Sequence, residues 1–327
     1  MALKKTTANI IKSLFSLDKT SNKGLYKWEW VVMAYLAATT IYILITYSQL
    51  NNPAEMLIMR AKVIIITAAL YCASLIWHAR ILTLARATAQ LYFLSWWYPD
   101  TYEINNILPN LDHIFASIEQ TTFGFQPADI FADNCSNPIF SEIMYMAYAA
   151  YFPMIALTAG YYFFRQYNNF NKTMTVILTA FFIYYIIFIL IPVTGPQYYY
   201  LAIGQQNIQQ ATFPNLYDYF HYHNQRMTAP GYTQGLFYQL VETAHQIGER
   251  PTAAFPSSHI GISLTLVILT IKTKYKPIII TITTLTALMI LATVYIKAHY
   301  AIDVIAGIIT APIIYLAIVK TFRLSKR

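Results

Sequence analysis

The sequence predicts an all-α polytopic membrane protein, a helical bundle with about six to eight transmembrane helices. Three observations point there. Of the 327 residues, 57% are hydrophobic and only 11% are charged, against roughly 25% charged in a typical soluble domain. Mean hydropathy is +0.43. The apolar residues gather into runs near the ~20 that a helix needs to cross a bilayer. A water-soluble domain of this length needs more polar surface than that.

The elements follow in order. Residues 1–27 carry Lys4, Lys5, Lys12, Lys19, Lys23 and Lys27, and Ile10, Ile11, Leu14, Phe15 and Leu17 predict a short helix on the cytoplasmic leaflet. No compact apolar core ends in a small-residue cleavage motif, so no cleaved signal peptide is expected. Spanning runs are expected at 30–48, 62–79, 141–164, 174–193, 278–297 and 302–320, with a shorter one at 257–271. The basic N-terminus and the C-terminal Lys320, Arg323, Lys326 and Arg327 should share the cytoplasm, which demands an even number of crossings. The stretch 81–98 supplies the eighth, with Arg86 snorkelling to its cytoplasmic start. Arg60 and Lys62 fit this scheme poorly. Segments 99–140 and 195–256 then face outward, and Asp112, Ile114, Phe115, Ile118 and Phe123 suggest a helix along the interface. The expected division is an N-terminal membrane and interfacial region, 1–140, and a catalytic helical core, 141–327, that includes the loop 195–256.

The net charge of +8 does not indicate nucleic acid, because the basic residues are scattered between apolar runs. The expected partners are the bilayer and lipids. Cys72 and Cys135 form neither a disulfide framework nor a CxxC zinc site. The charge pattern suits a bacterial inner membrane with the site facing the periplasm. A Golgi lumen fits equally, since the rule sets sidedness and not compartment.

Charged groups close to membrane spans are functional candidates by default. Phe255-Pro256-Ser257-Ser258-His259 precedes one span. It reads either as a helix cap or as an anion cradle made by backbone N–H groups and the two serine hydroxyls. His299 and Asp303, four apart, share a helical face; they form either a buried ion pair or a histidine oriented by an acid. The span after His259 runs inward, Lys272, Lys274 and Lys276 turn inside, and the next span returns. His259 and His299 therefore emerge on one face, which favours the functional reading. Gly195-Pro196-Gln197-Tyr198 ends another outward span, as a plain turn or as a loop packed on that site. His221 and His223 read as loop residues rather than metal ligands. Glu242 and His245 have the spacing of di-iron bundles, but only one such motif is present. Zinc on His259, His299 and Asp303 is disfavoured, because a helix-end cradle suits an anion better. No cofactor and no metal are expected.

Pro256-Ser257-Ser258-His259 followed by His299-x-x-x-Asp303-Val304 resembles the second and third signature motifs of the type 2 phosphatidic acid phosphatase (PAP2) superfamily. The resemblance implies a helical membrane core, His299 as nucleophile, Asp303 as its partner, His259 as leaving-group acid, and no metal. The chain departs from the phosphatase pattern. Ala292 and Thr293 stand where Ser-Arg is usual, and of the first motif only Arg250-Pro251 is present, Thr243 replacing its lysine. Ala292 through Asp303, with Gly195-Pro196-Gln197-Tyr198-Tyr199, is instead similar to inositol phosphorylceramide synthases.

That branch implies a donor phospholipid passing a phosphoinositol-type headgroup to ceramide or a diacylglycerol. The alternative is a phosphatase of phosphatidic, phosphatidylglycerol or polyprenyl phosphates. Arg250, Lys297, Ser257 and Ser258 are expected to hold the phosphate oxygens. Losing the arginine clamp should weaken binding of a monoester dianion more than of a singly charged diester. The tyrosines at 198–200, 217, 219, 222 and 232 could line a polyol pocket, although interfacial anchoring is expected for most of them. A non-enzymatic transporter or structural bundle is the reading from another class.

Overall fold

Membrane-length apolar runs form helices because, without water, each backbone N–H and C=O must find its partner within the segment. The computed structural model describes residues 14–18 and 24–324, and the short helix expected around Ile10 to Leu17 lies partly outside them. Among the described residues there is no strand. The helices are α1 Lys27–Ile45, α2 Pro53–Ile76, α3 Arg80–Asn105, α4 Asp112–Phe123, α5 Pro127–Asn134, α6 Pro138–Ala149, α7 Tyr151–Arg165, α8 Tyr167–Leu190, α9 Pro196–Ile203, α10 Gln205–Gln209, α11 Tyr219–Tyr222, α12 Leu236–Gly248, α13 Ser258–Ile271, α14 Lys276–Tyr295 and α15 Ala301–Thr321.

Five of these, α1, α2, α8, α14 and α15, are long and apolar enough to cross a membrane, and α6 with α7, bent by 48°, can make a sixth. This is an integral membrane protein. The expected span at 81–98 is a helix, α3, but it falls outside that set; Arg80, Arg86, Asp100 and Glu103 interrupt it and Pro99 lies inside it. The span at 257–271 is the shorter apolar helix α13.

The chain forms two compact units: residues 1–97 with 159–182, and residues 98–158 with 183–327. In the first, Arg86 does not snorkel. It is buried and ion-paired with buried Glu29, and also donates to the Ser74 hydroxyl at 3.0 Å. Glu29 accepts in turn from the Tyr26 N–H at 2.8 Å at the start of α1. A partner inside the unit holds the guanidinium more strongly than the interface would. Arg60, the misfit of the charge pattern, is likewise buried. It donates to the Met56 carbonyl at 3.0 Å and lies 5.5 Å from the ring centroids of Trp96 and Trp97. Removing one partner of a buried pair strands the other, at about 3–5 kcal/mol. Glu29→Ala should therefore lower the unfolding midpoint in detergent sharply, and Glu29→Leu combined with Arg86→Met should recover most of it. Equal midpoints for Glu29→Ala and wild type would show that the pair is energetically idle.

In the second unit α13, α14 and α15 pack on one another, and α14 also packs on α6. Tyr295 of α14 is fully buried among Phe131, Phe140 and Tyr145, and its hydroxyl shares a 2.6 Å hydrogen bond with Ser141. Helix starts here are capped by acids from distant elements. Glu142 of α6 accepts from the N–H groups of Phe237 and Tyr238 at 3.1 Å each, satisfying the orphan donors of α12.

Candidate active site

All the groups of this site lie in the second unit. Ser257 caps α13: its hydroxyl accepts from the Ile260 N–H at 3.5 Å, and its own N–H donates to the Asp303 carbonyl at 3.0 Å. The start of α13 is thus tied to the first turn of α15. Gly307 permits that approach, since a Cβ there would stand 2.7 Å from the Ser257 carbonyl oxygen. The approach puts His259, in the first turn of α13, against His299, in the connector before α15. His259 Nδ1 is 3.3 Å from His299 Nε2. Tyr148 stacks on the His259 ring at 4.7 Å, and Tyr151 lies tilted over it at 4.4 Å.

His299 Nδ1 lies 2.8 Å from the carbonyl oxygen of Ala254. A carbonyl can only accept, so Nδ1 carries the hydrogen and Nε2 keeps its lone pair in the neutral ring. Burial pushes the imidazole down to about 4, against the opposing pull of the Ala254 bond and of the Glu249 charge. At neutral pH His299 therefore offers a bare Nε2. Asp303 does not take the Nδ1 hydrogen directly, as the four-residue spacing suggested. Its Oδ2 is 3.6 Å away and accepts from the Tyr300 N–H at 2.9 Å, capping α15. One hydrogen has one best acceptor, and the Ala254 carbonyl is nearer. Ala254 is held there by its own N–H, which donates to the Val193 carbonyl at 2.9 Å. Asp303 Oδ1 is buried without a hydrogen-bond partner among the described residues.

The Gly195 turn packs against this connector. Gly195 has φ +90°, and a Cβ on it would meet the Ala298 carbonyl oxygen at 2.6 Å and Ala254 Cβ at 3.2 Å. Pro196 opens α9 at its first position, and the Gln197 N–H donates to the Lys297 carbonyl at 2.8 Å. The Gln197 amide and the Tyr98 hydroxyl both donate to Glu249 Oε1, at 3.3 and 3.1 Å. Burial raises the Glu249 carboxyl, while the Tyr98 bond and the charges of Arg226 and Arg250 pull it back. Tyr198, Tyr199 and Tyr200 are buried, not interfacial anchors. The Tyr199 hydroxyl donates to the Pro214 carbonyl and that of Tyr200 to the Gln126 side chain, at 2.8 and 2.7 Å. Tyr217 and Tyr222 are exposed.

Of the expected phosphate-binding cations, Lys297 is turned to Asp129, 3.5 Å away. Arg250 is half-buried and donates to the Glu249 carbonyl at 2.8 Å. Arg226, which the sequence did not single out, feels the charge of Glu249 and is held by both oxygens of Glu242 at 3.1 and 2.7 Å. His245 is buried edge-on to Tyr148, and burial pushes it down to about 3. His221 and His223 each bond a backbone carbonyl, of Leu108 and Tyr219. Among the described residues no three or more His, Cys, Asp or Glu are grouped as a metal site.

Sequence reasoning placed Asp112 on an interfacial helix but gave no role to either acid of α4. Asp112 and Glu119, with Ala116 between them, form its buried face, while Ile114 and Ile118 are exposed. Asp112 accepts from the N–H and hydroxyl of Thr194, the Gly195 N–H, the Asn110 amide and the Tyr300 hydroxyl, at 2.6 to 2.9 Å. Glu119 Oε2 accepts from the Ile302 N–H at 3.1 Å, capping α15 from outside. A seven-residue acid spacing with a small residue between was the available signal.

Burial raises the Glu119 carboxyl to about 8 and Asp303 adds to this, while the N–H bonds of Ile302 and Ala301 oppose it. A carboxyl raised above its unfolded value contributes stability fully below pH ~4.5, and loses it as the pH climbs through ~8. Glu119→Gln keeps an acceptor oxygen and stays neutral. It is expected to melt several degrees above wild type at pH 8.5 and alongside it at pH 5. Parallel melting curves at both pH values would refute the buried neutral acid.

The sequence profile of the PAP2 superfamily matches residues 116–317, well over half of the chain. The chain belongs to the PAP2 superfamily. Comparison with curated proteins and with solved structures gives no match. Membership makes it a protein of the lipid phosphatase and phosphotransferase type. The match takes in Glu119, Ser257 to His259, His299 and Asp303 and leaves out Asp112. Thr293, where the resemblance calls for arginine, is fully buried in this PAP2 protein. Its carbonyl accepts from the N–H groups of Ala298 and His299 at 3.1 Å each, so that position serves the connector through its backbone.

Proposed function

We propose that this PAP2 protein is a lipid phosphotransferase that moves a phosphoinositol-type headgroup from a phospholipid to a lipid hydroxyl, of ceramide or a diacylglycerol, on the outer side of its membrane. The observation that carries the reading is His299, neutral, locked by the Ala254 carbonyl with Nε2 bare and facing His259. Nε2 attacks phosphorus in line, forming an N–P bond as the bond from phosphorus to the diacylglycerol oxygen breaks. The phosphate anion entering between the rings favours the protonated form of His259. His259 then gives a proton to the departing oxygen and takes one back from the acceptor hydroxyl as the N–P bond breaks. Asp303, 3.6 Å from Nδ1, steadies the positive charge that develops on His299.

A diester is favoured over a monoester because, of the cations expected or found near the pair, only Arg250 lacks a carboxylate partner among the described residues and is left for one phosphate charge. The usual arginine is Thr293, and Lys297 and Arg226 are matched by Asp129 and Glu242. Purified protein would be given a labelled phosphoinositol lipid with ceramide, and separately phosphatidic acid without acceptor. Headgroup transfer that His299→Ala lacks supports the proposal. Phosphate released from phosphatidic acid, with no transfer, would make the protein a phosphatase.

A further inference from the structure

The first unit contains a polar cavity that the chemistry at His299 does not use. Its volume is about 410 Å³, and it is lined by Arg80, Phe164, Arg165, Gln166, Tyr167, Asn168 and Asn169. We propose that this cavity is a second phosphate site, which holds the headgroup of an anionic phospholipid.

Donors dominate the lining: two guanidinium groups and three amides, with no carboxylate among the seven. Three other arginines are engaged, Arg86 by Glu29, Arg226 by Glu242, and Arg60 by a carbonyl. Among the described residues neither Arg80 nor Arg165 has an ion-pair partner. The Arg80 guanidinium lies 4.3 Å from the Tyr167 ring centroid, which orients it, and its Nε is buried without a hydrogen-bond partner among the described residues. An arriving anion would be engaged by the two guanidinium groups that line the cavity. Asp18 accepts from the Tyr167 and Thr83 hydroxyls and does not line the cavity.

The position selects the source of the anion. The cavity sits where α7 ends at Arg165 and α8, a membrane-length helix, begins at Tyr167. Headgroups lie at the ends of such helices, and basic pockets between them suit anionic lipid. A charge-rule explanation needs only two arginines near a helix end. It does not require a stacked guanidinium and three amides around one volume.

The test is thermal unfolding of the full chain in neutral detergent, titrated with phosphatidylglycerol, phosphatidylcholine or inorganic phosphate. Wild type is compared with Arg80→Gln/Arg165→Gln and with Arg165→Gln alone, a change at an exposed side chain that threatens folding least. Phosphatidylglycerol should raise the midpoint, and the variants should need about tenfold more lipid for the same shift, the loss expected for a charge-assisted contact. Binding at the histidine site persists in these variants, so it cannot imitate the difference. Identical titrations in wild type and variants would overturn the proposal. So would phosphatidylcholine acting as well as phosphatidylglycerol, or inorganic phosphate giving the whole shift.

Discussion

Headgroup transfer is expected to fall roughly a thousandfold or more when His299 is replaced by alanine, the scale seen when a covalent nucleophile is removed. The fold should survive, because the ring's polar contacts are one carbonyl bond, a contact with His259 and the Asp303 oxygen 3.6 Å away. Stability should even become less sensitive to acid. A histidine with a folded value of about 4 and an unfolded value near 6.5 contributes stability in full above pH ~6.5, and that contribution drains away as the pH falls toward 4. The difference is of order 3 kcal/mol. Melting wild type and His299→Gln from pH 7 to pH 4.5 in detergent checks this. Wild type should lose midpoint faster than the variant. If the two fall together, the ring is not held neutral by burial. Transfer that persists in His299→Ala would remove the nucleophile assignment, whatever the melts show.

Why this histidine was visible in the sequence, and the group that holds it was not, is a matter of what side chains can encode. His259 and His299 each sit at the mouth of an apolar run, and the alternation of spans is enough to put them on one face. Most of the spans were legible because hydrocarbon demands long uninterrupted apolar segments, whereas the one expected at 81–98 is broken by charged residues and falls outside the membrane-length set. The Ala254 carbonyl has no side-chain signature, so the spacing to Asp303 suggested the wrong acceptor for Nδ1. Arg86 was misplaced and Arg60 fitted poorly because a charge rule describes groups that reach water, and these two are held inside their unit. Glu119 and Asp112 bond partners 183 and 188 residues away, a pairing that no local pattern contains.

Asp112 is where that long-range pairing should matter most. Its two carboxylate oxygens serve five donors from three places: Asn110 beside it, Thr194 and Gly195 at the turn, and Tyr300 next to the histidine. Asp112→Ala leaves these donors buried and unpaired, and each stranded group costs about 1–3 kcal/mol. A loss of several kcal/mol is expected, large against the ~5–15 kcal/mol by which proteins are typically stable. Asp112→Asn tests the site more finely, because it keeps the volume and one acceptor but turns an amide donor toward donors already there. The Gly195 turn should then relax away from Ala298 and Ala254, and with it the carbonyl that fixes the His299 tautomer. The expected outcome is a fall in kcat well beyond any change in KM, with an unfolding midpoint between those of wild type and Asp112→Ala. An Asp112→Asn protein with wild-type kcat would mean that the turn keeps its place without the carboxylate. The grip on His299 would then rest on the Ala254–Val193 bond and the Thr293 carbonyl alone.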